Sequence, residues 1–135
     1  MNADERESDP EERRELDRLA YQVVGAAYEV GNVLGVGFLE KVYQRALVSE
    51  LRRRGVQAEG EVPVAVRYKG EAVEEYRVDI LVEGKLIVET KCVDEFCDAH
   101  LAQCLNYLRA TGLRLALLVN FQRPKVEWRR VVYNL

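Results

Sequence analysis

The chain has 135 residues, of which 48% are hydrophobic and 32% charged, and its formal net charge at pH 7 is −3. This length fits one domain with a sizeable hydrophobic core. The cysteine count is odd and no apolar run approaches the roughly 20 residues of a transmembrane helix, which argues against a disulfide-stabilised secreted domain and against a membrane protein.

The N-terminal end differs in charge from the rest of the chain. Residues 1–17 carry eight acidic and three basic side chains, whereas the remainder carries 15 acidic and 17 basic ones. We therefore predict an acidic, disordered tail over residues 1–15 and a single domain over residues 16–135. The first residues also lack the basic and apolar segments of a secretory signal, so we expect the protein to be cytoplasmic.

Helical periodicity comes first along the chain. The first apolar stripe recurs at helical spacing and consists of Leu16, Leu19, Ala20, Val23, Val24 and Ala27. The glycine-containing stretch 31–37 ends this helix. A second stripe consists of Leu39, Val42, Tyr43, Ala46, Leu47 and Leu51. Gly55 closes the second helix, and the three arginines before it, residues 52–54, are either a basic patch or cations that favour the helix dipole.

Strand patterns follow. Residues 62–68 alternate between apolar and other side chains and turn at Lys69-Gly70, and residues 76–82 and 85–92 form a hairpin around Glu83-Gly84. A helix over residues 95–110, a buried strand over 115–119 and an edge strand over 127–133 complete the chain. This order predicts a three-layer α/β domain with a mixed central β-sheet flanked by helices, because the last helix lets a strand return parallel to its partner.

Two acids and a lysine stand out on the predicted hairpin. Strand alternation puts Glu89 and Lys91 on one side, and the neighbouring strand brings Asp79 beside Glu89. The apolar residues 86–88 indicate a covered central strand, where a terminal charge is costly without a partner. A hard divalent cation would be that partner, and Lys91 would supply the fixed charge that phosphodiester cleavage needs. The alternative is an ordinary hairpin with solvated charges or cross-strand ion pairs.

Several ordered motifs resemble one family. Residues 37–43 fit Gly-x-x-Glu-x-x-Tyr, and the likeness continues through residues 76–79, 89–91, 100–108 and 119–121. The chain thus resembles, over about residues 20–133, the GxxExxY proteins, a branch of the PD-(D/E)XK nuclease superfamily. The resemblance implies a restriction-endonuclease-like core and a nuclease that acts on DNA, with less weight on RNA.

The resemblance also implies roles for single residues. Glu40 would join Asp79 and Glu89 around Mg²⁺ or Mn²⁺, and Lys91 would be the catalytic lysine. Gln103 and Tyr107 match the Gln-x-x-x-Tyr element beside the active site of related nucleases. Helical spacing agrees, since residues 100, 103 and 107 share one helix face.

Other interpretations remain open at this point. Cys92, Cys97, His100 and Cys104 include the ligand types of a structural zinc site, although buried free cysteine is also a common small hydrophobic residue. A non-catalytic module that binds nucleic acid or another protein on the same fold is the alternative function. We expect Tyr43 to pack in the core with its hydroxyl hydrogen-bonded.

Overall fold

The structure is a computed structural model and describes residues 9–135. In this part of the chain the elements follow the predicted order. The helices are α1 (Pro10–Leu34), α2 (Glu40–Arg53) and α3 (Asp98–Thr111). The strands are β1 (Ala58–Tyr68), β2 (Glu71–Val82), β3 (Leu86–Lys91), β4 (Leu115–Asn120) and β5 (Glu127–Val132). None of these helices is long and apolar enough to cross a membrane.

The strands form one mixed sheet in the order β1-β2-β3-β4-β5. Strands β3 and β4 pair in parallel, and the neighbouring pairs β1–β2, β2–β3 and β4–β5 are antiparallel. Helices α1 and α2 pack on one face of the sheet and share one apolar cluster, and α3 packs on the other face over a second cluster. The predicted three-layer α/β architecture is confirmed, and α3 is the crossover that makes the parallel pairing feasible.

Helix α1 begins earlier than the sequence pattern indicated. Asp9 is its N-cap and accepts a hydrogen bond from the backbone of Glu11 at 2.7 Å, and Pro10 occupies the first turn, where its missing N–H costs nothing. Residues 10–15 therefore belong to this helix and not to the predicted tail. The remaining predicted tail, residues 1–8, lies outside the described residues.

The arginines that close α2 make local bonds. Arg54 forms an ion pair with Glu50 at 2.7 Å, and the Nε of Arg52 donates to the carbonyl of Ala58 at 2.9 Å. Arg53 is exposed. Two of the three arginines therefore fasten the helix end to its surroundings, which supports the structural interpretation for those two.

The β2–β3 connection is the predicted tight turn. Glu83 and Gly84 have φ of 52° and 66°, and the N–H of Lys85 donates to the carbonyl of Val82 at 2.9 Å. Two central residues with positive φ define the type I′ turn, whose twist matches that of the strands it joins. This turn fixes the register that decides which side chains of β2 and β3 face each other.

The central strands are covered on both faces. Every residue of β4 is buried, as is every residue of β3 before Lys91. Leu86 and Val88 contact the α1–α2 cluster, and Ile87 contacts the α3 cluster. The prediction of a covered strand at residues 86–88 is confirmed. The charged end of β3 therefore lies at the edge of the buried core.

Two glycines inside α1 give a matched stability test. A Cβ on Gly31 would lie 2.7 Å from Val126 Cγ2, whereas one on Gly25 would lie 3.0 Å from Nη1 at the end of the long Arg54 side chain. We expect Gly31→Ala to destabilise the fold by about 1–3 kcal/mol through overpacking. Gly25→Ala should be neutral or stabilising by up to about 1 kcal/mol, because alanine is the better helix former.

Urea denaturation of the two variants measures the difference. Val126→Ala should cost less in the Gly31→Ala background than in the wild type, because the smaller side chain removes the clash. Equal stabilities for the two glycine variants would contradict the close contact of α1 with residue 126.

Candidate active site

Strands β2 and β3 part next to Asp79. Their last paired residues are Ile80 and Val88, and the same register places Asp79 opposite Glu89. Beyond that pair, side chains take over the hydrogen bonds of the ladder. The N–H of Asp79 donates to Glu89 Oε1 at 3.1 Å, and Asp79 Oδ2 accepts from Thr90 through its N–H at 2.8 Å and its hydroxyl at 3.0 Å. The two carboxylates are thereby fixed face to face.

Glu89 is a carboxyl held almost out of water. It is only 3% exposed. Burial, followed by the neighbouring charge of Asp79, raises the pKa of Glu89 to about 8. Without a bound metal cation, this carboxyl therefore holds a proton at neutral pH. A buried acid of this kind beside a second carboxylate is a frequent mark of a functional site.

Lys91 lies two residues after Glu89 on the same side of β3, as strand alternation predicts. Its Nζ is 3.4 Å from the amide oxygen of Gln103 on α3. Lys91 is half-buried and its charge acts on both Glu89 and Glu40. The lysine ammonium thus lies near the carboxylates and beside helix α3.

Tyr107 forms the wall beside these groups. It is 5% exposed and its ring packs edge-to-face on Tyr76, with the ring centroids 5.9 Å apart. Burial, with the charges of Glu89 and Asp79, raises the pKa of Tyr107 to about 12. The phenol therefore stays protonated at neutral pH, and its hydroxyl can donate a hydrogen bond.

Glu40 approaches from the opposite face of the sheet. It is the first residue of α2, where the helix dipole favours a carboxylate. Although the residue as a whole is exposed, partial burial of its carboxyl raises the pKa of Glu40, Lys91 opposes the shift and Asp79 adds to it. Glu40 is therefore within electrostatic reach of the other site residues.

The Gly-x-x-Glu-x-x-Tyr motif places Glu40 through its tyrosine. The ring of Tyr43 stacks on Phe121 with centroids 4.8 Å apart, and its hydroxyl donates to the carbonyl of Gly35 at 2.5 Å. The same hydroxyl accepts from the N–H of Phe38 at 3.3 Å. The expected core role of Tyr43 is confirmed, and these bonds hold the loop that leads into α2.

The donor chemistry of the acids fits a hard divalent cation. Among residues 9–135, no three His, Cys, Asp or Glu side chains are arranged to hold a metal ion together. Glu40, Asp79 and Glu89 are thus neighbours without forming a preassembled set. The oxygens Asp79 Oδ1 and Glu89 Oε2 remain for a cation, and Mg²⁺ is commonly bound by one or two carboxylates together with substrate phosphates.

The cysteine and histidine set does not converge on one point. Cys92 packs against the α1–α2 cluster, whereas Cys104 is buried in the α3 cluster on the other side of the sheet. His100 Nδ1 accepts from the N–H of Cys97 at 3.1 Å and so caps α3. The structure gives His100 a capping role and Cys104 a core role.

Three buried polar side chains that support the site were not identified from the sequence. Gln44, which is 4% exposed, donates from Nε2 to the carbonyl of Asp79 at 3.1 Å. Thr90 holds the carboxylate of Asp79, and Asn120 binds both the N–H and the carbonyl of Val93, at 3.1 and 2.7 Å, just after β3. The sequence signal that could have identified such residues is a polar side chain at a position where the helical pattern predicts burial, as for Gln44 in α2.

Comparisons with known proteins identify the superfamily of this chain. Residues 17–131 match the PD-(D/E)XK nuclease superfamily. No curated protein is a match. The crystal structure of SSO0001 is similar with a TM-score of 0.52 at 19% identity; the alignment covers 70% of this chain and 50% of that one. An alkaline exonuclease (LHK-Exo) from Laribacter hongkongensis has a TM-score of 0.47 at 14% identity, with 78% and 75% covered.

The SSO0001 likeness concerns the fold alone, and this chain spans half the length of that protein.

The raised pKa of Glu89 predicts how stability depends on pH. The folded-state pKa of about 8 lies above the ordinary value of 4.5, so the folded protein binds more protons than the unfolded chain between these values. Stability of the metal-free protein should therefore fall as pH rises through this window, by on the order of 3–5 kcal/mol. Glu89→Gln should remove most of this dependence.

Urea denaturation in EDTA at a series of pH values checks the prediction. Glu71→Gln, at an exposed position of β2, is the control for loss of one carboxylate. A Glu89→Gln protein that keeps the wild-type pH profile would show that another group causes it.

Proposed function

Because the chain belongs to the PD-(D/E)XK nuclease superfamily, we propose that it is a metal-dependent nuclease of the GxxExxY branch that hydrolyses phosphodiester bonds, in DNA more than in RNA. The observation that carries the proposal is the placement of Asp79 opposite Glu89 with Lys91 on the same side of β3. Superfamily membership supports the reaction class, and this arrangement supports its assignment to these residues.

The cofactor in the proposal is Mg²⁺ or Mn²⁺, held by Asp79 and Glu89 with Glu40 as a third oxygen donor. Its positive charge would offset the negative charge of the phosphate and make a water easier to deprotonate. Glu89 must give up its proton to act as a ligand, since its pKa is about 8 without the cation. Cation affinity should therefore rise with pH.

The remaining site residues would position the reacting groups and stabilise the negative charge of the transition state. Lys91 orients the attacking water or stabilises the negative charge that develops on the phosphate, and its Nζ is held 3.4 Å from Gln103 Oε1. Gln103 is a positioning residue that acts through this ammonium. Tyr107 stays neutral and can donate a hydrogen bond to a phosphate oxygen.

The decisive assay uses purified protein on labelled single-stranded and double-stranded DNA and RNA, with Mg²⁺, Mn²⁺ or EDTA. Cleavage that requires either cation supports the proposal. We expect Lys91→Ala to lower the cleavage rate by at least about 100-fold, because it removes a charge that acts in the transition state.

Calorimetric titration should show that Lys91→Ala binds Mn²⁺ nearly as well as the wild type, since lysine is not a ligand. A fully active Lys91→Ala protein would contradict the mechanism. Binding of nucleic acid without any cleavage would favour the non-catalytic module.

Gln103→Ala should slow cleavage less than Glu89→Gln does. Loss of the amide lets the lysine ammonium move but keeps its charge, an effect of roughly 10-fold to 100-fold. Loss of a carboxylate ligand removes part of the cation site itself. Single-turnover rates of the two variants, measured at saturating Mn²⁺, give the ranking directly. A slower Gln103→Ala would reverse the assigned roles.

A further inference from the structure

An open groove of about 690 Å³, which the proposed chemistry does not use, lies between helix α2 and strand β1. Arg45, Ser49, Arg52 and Arg53 line it from the helix side. Their spacing of four and then three or four residues places them along one stripe of α2. The groove is therefore a cationic surface built on a regular element.

Two of these arginines are available for a ligand. Arg45 and Arg53 are exposed, and neither forms an ion pair within residues 9–135. Arg52 is anchored through its Nε on Ala58, which leaves the rest of its guanidinium at the groove. The acid in the described lining is Glu61, and Lys41 neutralises it through an ion pair. The net charge of the groove is thus positive.

The groove begins at the candidate active site. Gln44 lines it and donates to the carbonyl of Asp79 at 3.1 Å. A Cβ on Gly60 would lie 3.7 Å from Gln44 Nε2 and 3.8 Å from the same carbonyl, so the missing side chain keeps this end open. Helix α2 also carries Glu40 as its first residue. Arg45 and Arg53 are about 12 Å apart along the axis, at 1.5 Å per residue.

We propose that this groove binds the sugar-phosphate backbone of the nucleic-acid strand where it extends beyond the scissile bond. The inference rests on the proposed function and names the surface that holds the substrate. Guanidinium groups recognise phosphates in bidentate geometry, and contacts of this kind position a strand without reading its sequence. Binding through the groove should therefore be independent of sequence and sensitive to salt.

Fluorescence anisotropy with a labelled oligonucleotide in EDTA tests the groove without involving cleavage. Each of Arg45→Ala and Arg53→Ala should weaken binding several-fold. Each should also reduce the slope of log affinity against log salt by roughly 0.7–0.9, the contribution of one phosphate contact. The matched control is Arg14→Ala, an exposed arginine beside the Glu15–Lys85 ion pair, at the other end of the β2–β3 hairpin.

A second variant separates the groove from general electrostatics. Gly60→Gln adds a side chain at the floor of the groove without changing charge, and we expect it to weaken binding. The control is Ala72→Gln, which adds the same amide at an exposed position of β2. Circular dichroism confirms that each variant is folded.

The outcomes separate the two proposals. If the wild type cleaves nucleic acid and the groove variants match their controls in binding, the groove assignment is wrong while the nuclease proposal stands. If the groove variants lose affinity and the wild type never cleaves with Mg²⁺ or Mn²⁺, the reverse holds. A wild type that binds no oligonucleotide would overturn the groove assignment as well.

Discussion

Where β2 and β3 separate, their backbone N–H groups still need hydrogen-bond acceptors, because an unpaired buried N–H is costly. Glu89 accepts from the backbone of Asp79, and Asp79 accepts from the backbone and hydroxyl of Thr90. The two carboxylates thus replace backbone carbonyls as the hydrogen-bond acceptors of these N–H groups. Their positions are set by the sheet itself, and the cost of placing two acids together is left for a proton or a cation to relieve.

The elements around this gap support it from both faces of the sheet. Gln44 reaches it from α2, Gln103 and Tyr107 from α3, and Asn120 fixes the chain just after β3. Each contact depends on a different part of the chain being packed in place. The helices therefore do more than cover the sheet. From each face of the sheet, a helix contributes polar side chains to the point where β2 and β3 separate.

Much of this could be predicted from sequence, for identifiable reasons. The hairpin around Glu83-Gly84 and the pairing of Asp79 with Glu89 follow from local turn chemistry and a period of two, which need no tertiary information. The apolar stripe predicts a later start for α1 than the structure has, because the first turn of the helix is polar; Asp9-Pro10 is the capping signal that marks the true start.

The roles of Gln44 and Thr90 could not be predicted in the same way. Their side chains bind backbone atoms that are distant in sequence or set by register, and no periodicity encodes such a bond. Glu40 is intermediate between these cases: its helix was predictable, but its nearness to Asp79 followed only from the motif resemblance.

The strand order also bears on how the site is assembled during synthesis. Every strand pairs beside its predecessor in the chain, so none has to insert between strands that have already met. The facing acids lie on one tight hairpin and can come together once Thr90 has left the ribosome. The amide that holds Lys91 belongs to α3 and emerges later. The pair of facing acids can thus form before the contact that positions the lysine.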